Sequence, residues 1–127
     1  MKIVTVIARL LLGVIFLVFG LNGFLHFIPM PPPAGLAGQF LGALFVSHYL
    51  VFVFLLQVIP GVLLLINRYV PLALTLLGPI IVNIVLFHAL MAPSGLPLAV
   101  VAAVLWCVVA YAARRAFAGL FQQRIAA

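Results

Sequence analysis

The chain has 127 residues, of which 69% are hydrophobic and 5% charged, with a formal net charge of +6 and no aspartate or glutamate. Soluble domains carry about a quarter charged residues, so this composition leaves too little polar surface for a water-soluble globule. The missing carboxylates exclude magnesium or calcium sites, carboxylate acid–base pairs and Asp/Glu proton relays. The single cysteine, Cys107, excludes an internal disulfide and any multi-cysteine metal centre. Six cations in so apolar a chain read as flanks of membrane helices rather than as a nucleic-acid surface. The lipid bilayer is the partner that this composition implies.

The first apolar run follows Lys2 and continues too far, with no small-x-small cleavage site, to read as a signal peptide. It is expected to span the membrane over about 6–27. From Arg9 to His26 is roughly 27 Å of helix, close to the hydrocarbon thickness of a bilayer. Gly13 and Gly20 share one face, where a neighbouring helix can approach closely. Pro29-Met30-Pro31-Pro32-Pro33 cannot continue a helix. The apolar segment 36–46 that follows is too short to cross and is expected as a surface or re-entrant helix. Ser47 suits the N-cap of a second span over 48–66, which carries Gln57 and Pro60-Gly61.

Asn67 to Pro71 makes a polar turn, with Pro71 suited to the first turn of a third span over 71–91. That span contains Pro79, Asn83 and His88. Pro60 and Pro79 are expected to kink their helices. A Pro93–Pro97 turn leads into a fourth span over 97–113, where Ala99, Ala103 and Cys107 form a row of small residues suited to close packing. The tail 114–125 places Phe117, Leu120, Phe121 and Ile125 on one helical face and its arginines on others. That pattern is expected of an amphipathic helix in the headgroup region.

The fold expected is therefore all-α and integral to the membrane, a single domain over 1–127. It is a four-transmembrane-helix bundle with a short apolar surface or re-entrant helix and an amphipathic tail. Lys2, Arg9, Arg68, Arg114, Arg115 and Arg124 all fall on one side of such a bundle, and the positive-inside rule places both termini in the cytoplasm. Asn22-x3-His26 and Asn83-x4-His88 hint at two parallel two-helix repeats.

By the same topology His26, His48 and His88 come to the outer surface. Asn22 and Asn83 lie one to two turns deeper, and Gln57 lies roughly 12–14 Å in from His48. Polar side chains are costly in lipid, so Asn22, His26, Gln57, Asn83 and His88 are candidate lining residues of an outward-facing pocket. The same amides also serve as interhelical hydrogen-bond glue, worth about 0.6–2 kcal/mol each, and the histidines also serve as interfacial residues with wet tips. A weaker metal alternative joins His26, His48 and His88, and a haem alternative joins His26 and His88. A quinone-type ring held by imidazole and amide donors between apolar walls asks less of the geometry. No nucleophile–base pair is present, so no self-sufficient catalyst is expected.

Arg9-Leu10-Leu11-Leu12-Gly13, then Phe19-Gly20-Leu21-Asn22-Gly23 with His26-Phe27, resembles the opening of DoxX-like membrane proteins. Pro60-Gly61-Val62-Leu63-Leu64-Leu65, Arg68-Tyr69-Val70-Pro71-Leu72-Ala73 and the run Pro79 to His88 extend the resemblance over nearly all four spans. It implies a bacterial inner-membrane protein whose relatives include a subunit of thiosulfate:quinone oxidoreductase and components of membrane redox complexes. On that footing the chain is expected to be an accessory subunit or a quinone-like ligand module of a quinone-linked oxidoreductase, associated with other membrane subunits or with copies of itself. The alternative is a purely structural helical subunit of a larger complex. Where such relatives often carry glutamate, Gln57 cannot ionise, which removes an acid–base role at that position.

Overall fold

The computed structural model describes residues 2–30 and 33–125. Pro31 and Pro32 of the proline turn lie outside the described residues. The elements are α1 (Lys2–Leu25), α2 (Gly35–Val46), α3 (Tyr49–Ile66), α4 (Val70–Leu90) and α5 (Leu96–Ala112). A 3₁₀ turn over Pro93–Gly95 precedes α5 and a 3₁₀ segment over Arg114–Phe121 follows it. The structure is all-α among the described residues, and α1, α3, α4 and the Pro93–Ala112 stretch are each long and apolar enough to cross a membrane. The shorter apolar helix α2 falls where the sequence places it. This is a multi-pass membrane bundle whose outer surface is suited to lipid.

The four long helices form a ring in which α1 packs on α3, α3 on α4, α4 on α5 and α5 back on α1. Thus α1 and α4 stand diagonally across the bundle. The tightest contact is α1 against α3, and glycine makes it possible. A Cβ on Gly61 would lie 2.8 Å from Leu17 N and 3.1 Å from Gly13 O. A Cβ on Gly13 would lie 2.9 Å from Leu65 Cγ, and one on Gly20 would lie 2.7 Å from Val58 Cγ2. Backbones meet where no side chain intervenes, as small-residue packing in membranes requires. The pairing of 13 with 61–65 and 20 with 57–58 fixes the two helices as antiparallel.

Between the helices, Leu12, Leu64, Leu74 and Leu77 are fully buried, with Ala8, Phe16, Ala73, Ile81, Ala102 and Val109 around them. Trp106 ties α5 to α4 by donating Nε1–H to Leu74 O at 2.9 Å. Arg9 ties α1 to the end of α3 by donating to Leu64 O and, at 3.5 Å, to Leu65 O. Those carbonyls belong to the last turn of α3, where helical partners run out. Lys2, Arg9, Arg68 and the arginines after α5 gather at this end of the bundle. The opposite end carries the three histidines.

Several local expectations are refined. The chain caps α3 with His48 in a left-handed conformation, φ 63°. Ser47 sits one residue earlier, and its Oγ accepts from Tyr49 N–H at 3.4 Å. Pro71 occupies the first turn of α4, and α3 and α4 run on through Pro60 and Pro79. The Ala99, Ala103, Cys107 row does not face inward as a unit. Ala99 and Ala102 are buried, Ala103 is half-buried and Cys107 is exposed, because a four-residue step drifts around a helix of 3.6 residues per turn. The tail is 3₁₀ rather than α-helical. Its Phe117 packs on the core, while Leu120, Phe121 and Ile125 are exposed.

Candidate functional site

The site is built where α1 stops. His26 adopts φ 53°, a left-handed conformation uncommon outside glycine but commoner for Asn, Asp and His, and the helix cannot propagate through it. His26 N–H still donates to Asn22 O at 2.9 Å. The Asn22 side chain then organises the exit, its Oδ1 accepting from Ile28 N–H at 2.7 Å. A backbone N–H requires an oxygen acceptor, so the amide orientation is settled by chemistry. The Asn22 NH2 is left without a protein partner. His48 enters α3 in the same left-handed conformation, so two of the three histidines sit at helix boundaries with positive φ.

His88 is fixed differently. Its Nδ1 lies 2.9 Å from Ile84 O in its own helix. A carbonyl only accepts, so Nδ1 carries the hydrogen and the Nε2 of the neutral ring is an acceptor. Phe87 stacks edge-on at 5.1 Å and is itself 5.8 Å from Phe40, which seats α2 on α4. The other edge of the imidazole lies over Gly95, where any Cβ would overlap ring atoms. Glycine at the start of α5 is thus what leaves room for the ring.

These elements surround a half-enclosed cavity of about 970 Å³ at the histidine end, a size that holds a drug-sized ligand. Its walls are apolar: Ile15, Phe16 and Phe19 of α1, Phe54 of α3, Ile84 of α4, and Leu98, Ala99 and Ala102 of α5. Pro33, Leu41 and Phe45 cover one side from the loop and α2. Phe24 and Phe54 meet edge-on at 6.0 Å at the α1–α3 wall. The polar groups on this surface are His26, His48 and His88 at the mouth, Asn22 below them, and Gln57 deeper still, at the level of Gly20.

Asn22 and Gln57 are the two buried polar residues among those described, at 8% and 7% exposure. Gln57 has no hydrogen-bond partner in the protein, yet no buried side-chain polar atom is both sealed from access and unpaired. Its amide therefore opens to the cavity with both its donor and its acceptor free.

The structure brings together Asn22, His26, Gln57 and His88 of the predicted pocket, and adds His48. Asn83 is not with them. It is exposed on α4, and its Nδ2 donates back to Pro79 O at 2.8 Å. Asn83 is five residues before His88, close to one and a half turns, so the two side chains leave α4 on opposite faces. Asn83 thus satisfies itself within its own helix. Nor do His26, His48 and His88 form a metal site: among the described residues no group of three or more potential ligands comes together. The imidazoles share a rim but not a centre.

Sequence reasoning did not single out Gly95 or Ala102, and read Ala99 only as part of a helix-packing row. Gly95, Ala99 and Ala102 fall at i, i+4 and i+7, one helical face of small side chains, and that spacing was the available signal. Comparison with protein-family models, with curated proteins and with solved structures gives no match for this chain.

Proposed function

We propose that this chain is a DoxX-like protein of the bacterial inner membrane that binds a quinone-like ring and serves a membrane redox system as an accessory, ligand-holding subunit. Both termini face the cytoplasm, and the cavity opens toward the opposite leaflet. The orientation rests on the distribution of cations, all six of which flank one end of the bundle. The ligand class rests on the cavity: apolar walls, no ionisable acid, and amide and imidazole groups at its polar positions.

The observation that carries the reading is Gln57. Its side chain is 7% exposed and has no partner in the protein, so its donor and acceptor are both directed to whatever occupies the cavity. A planar ring with oxygen atoms on its edge satisfies such an amide while its hydrocarbon substituents fill the remaining apolar volume. Neighbouring subunits of such a system would supply its redox centres.

The test is purification in mild detergent followed by solvent extraction and mass spectrometry. Quinone is expected at close to one equivalent per chain, and Gln57→Leu is expected to lower retention about tenfold or more. A preparation with no bound quinone, isolated with a larger complex, points instead to a structural subunit. A Soret absorption band identifies haem between His26 and His88 and overturns the quinone reading.

A further inference from the structure

We propose that the cavity selects the reduced, dihydroxy form of its ring ligand over the oxidised dione. The inference rests on the ring-binding function proposed above and concerns which redox form that ring takes. It follows from the hydrogen-bonding roles that the protein has already fixed.

Asn22, Gln57 and His88 each present atoms without a protein partner to the cavity wall, below or beside the open imidazoles of His26 and His48 at the mouth. Asn22 has committed Oδ1 to Ile28 N–H, so it offers only its NH2, a donor. His88 has committed Nδ1–H to Ile84 O, so in the neutral form of the ring Nε2 is left as an acceptor. Gln57 is uncommitted and offers one of each. The surface thus presents donors and acceptors together.

A dione carries oxygens that only accept. It can take hydrogens from Asn22 and Gln57, but it sets a lone pair against the lone pair of His88 Nε2 and leaves the Gln57 oxygen unmet. A dihydroxy ring brings two O–H donors whose oxygens still accept. One hydroxyl donates to His88 Nε2 and the other donates to Gln57 Oε1, while either oxygen accepts from Asn22. Both acceptors that the dione leaves unmet are then paired. A site built to hydrogen-bond a hydroxyl rejects an analogue that lacks it, because its own buried group is left without a partner. Gly95 is part of the device, since it gives the imidazole the room to lie where it does.

The experiment compares binding of a short-chain benzoquinol and the matching benzoquinone to the full-length protein in lipid nanodiscs, under anaerobic conditions at neutral pH. The quinol is expected to bind about tenfold more tightly, corresponding to one hydrogen bond made in place of one refused. His88→Leu is expected to lower quinol affinity about tenfold relative to quinone affinity, so that the preference falls to what Gln57 alone supplies. Equal binding of the two forms by the unmodified protein, or tighter binding of the quinone, overturns the selectivity while the ring-binding reading stands. Equal loss of both forms in His88→Leu also overturns it, since the imidazole then acts by shape alone. If neither form binds, the ring-binding reading and this inference fall together.

Discussion

At the scale of single residues, the polar groups divide by whether the protein satisfies them. Asn22 is consumed by the turn after α1, and replacing it with leucine strips Ile28 N–H of its acceptor. Asn22→Leu is expected to cost about 1–2 kcal/mol, read as a lower midpoint in thermal unfolding in detergent. Gln57 is the reverse case. Without ligand, Gln57→Leu is expected to stabilise the bundle by about 1 kcal/mol, so the variant melts later yet retains less ligand. A variant that melts earlier would show that the amide holds the fold together. Asn83→Leu is expected to leave ligand retention unchanged, because its amide turns back on Pro79 O on the exposed face. His26 and His48 sit in left-handed backbone that glycine adopts freely.

At the scale of elements, close approach of α1 to α3 is the contact on which the rest is hung. Gly61→Ala puts a methyl group against the backbone of Leu17 and Gly13, which cannot swing aside, and is expected to cost about 1–3 kcal/mol. Gly42→Ala in α2 meets nothing within 4 Å and is expected to be neutral or slightly stabilising by the same thermal assay. The spans themselves were legible, because Pro-rich and Gly-rich turns punctuate apolar runs of membrane length. Gly13 and Gly20 could be read as a contact face for the same reason. The azimuth of a polar residue on a helix that is apolar all round could not be read. With lipid outside and hydrocarbon inside, no hydrophobic stripe marks the inward side, so Asn83 looked equivalent to Asn22. The 3₁₀ form of the tail was hidden too, since Phe117, Leu120 and Phe121 at i, i+3 and i+4 satisfy an α-helical pattern equally well.

At the scale of the whole molecule, the bundle has two unlike ends, and its orientation can be measured. In a Cys107→Ala background, Ser94→Cys in the 3₁₀ turn beside the cavity is expected to react with a membrane-impermeant maleimide on intact cells, and Arg115→Cys only after lysis. The opposite labelling pattern would invert the assignment of leaflets. Between those ends lies the layer of Leu12, Leu64, Leu74 and Leu77, each with no exposed surface. That layer closes the bundle between its cationic end and the cavity. On the ring-binding reading proposed above, a ligand that enters at the histidine end would then leave by the same end, as in a holder rather than a transporter, which alternates between two openings around one binding place.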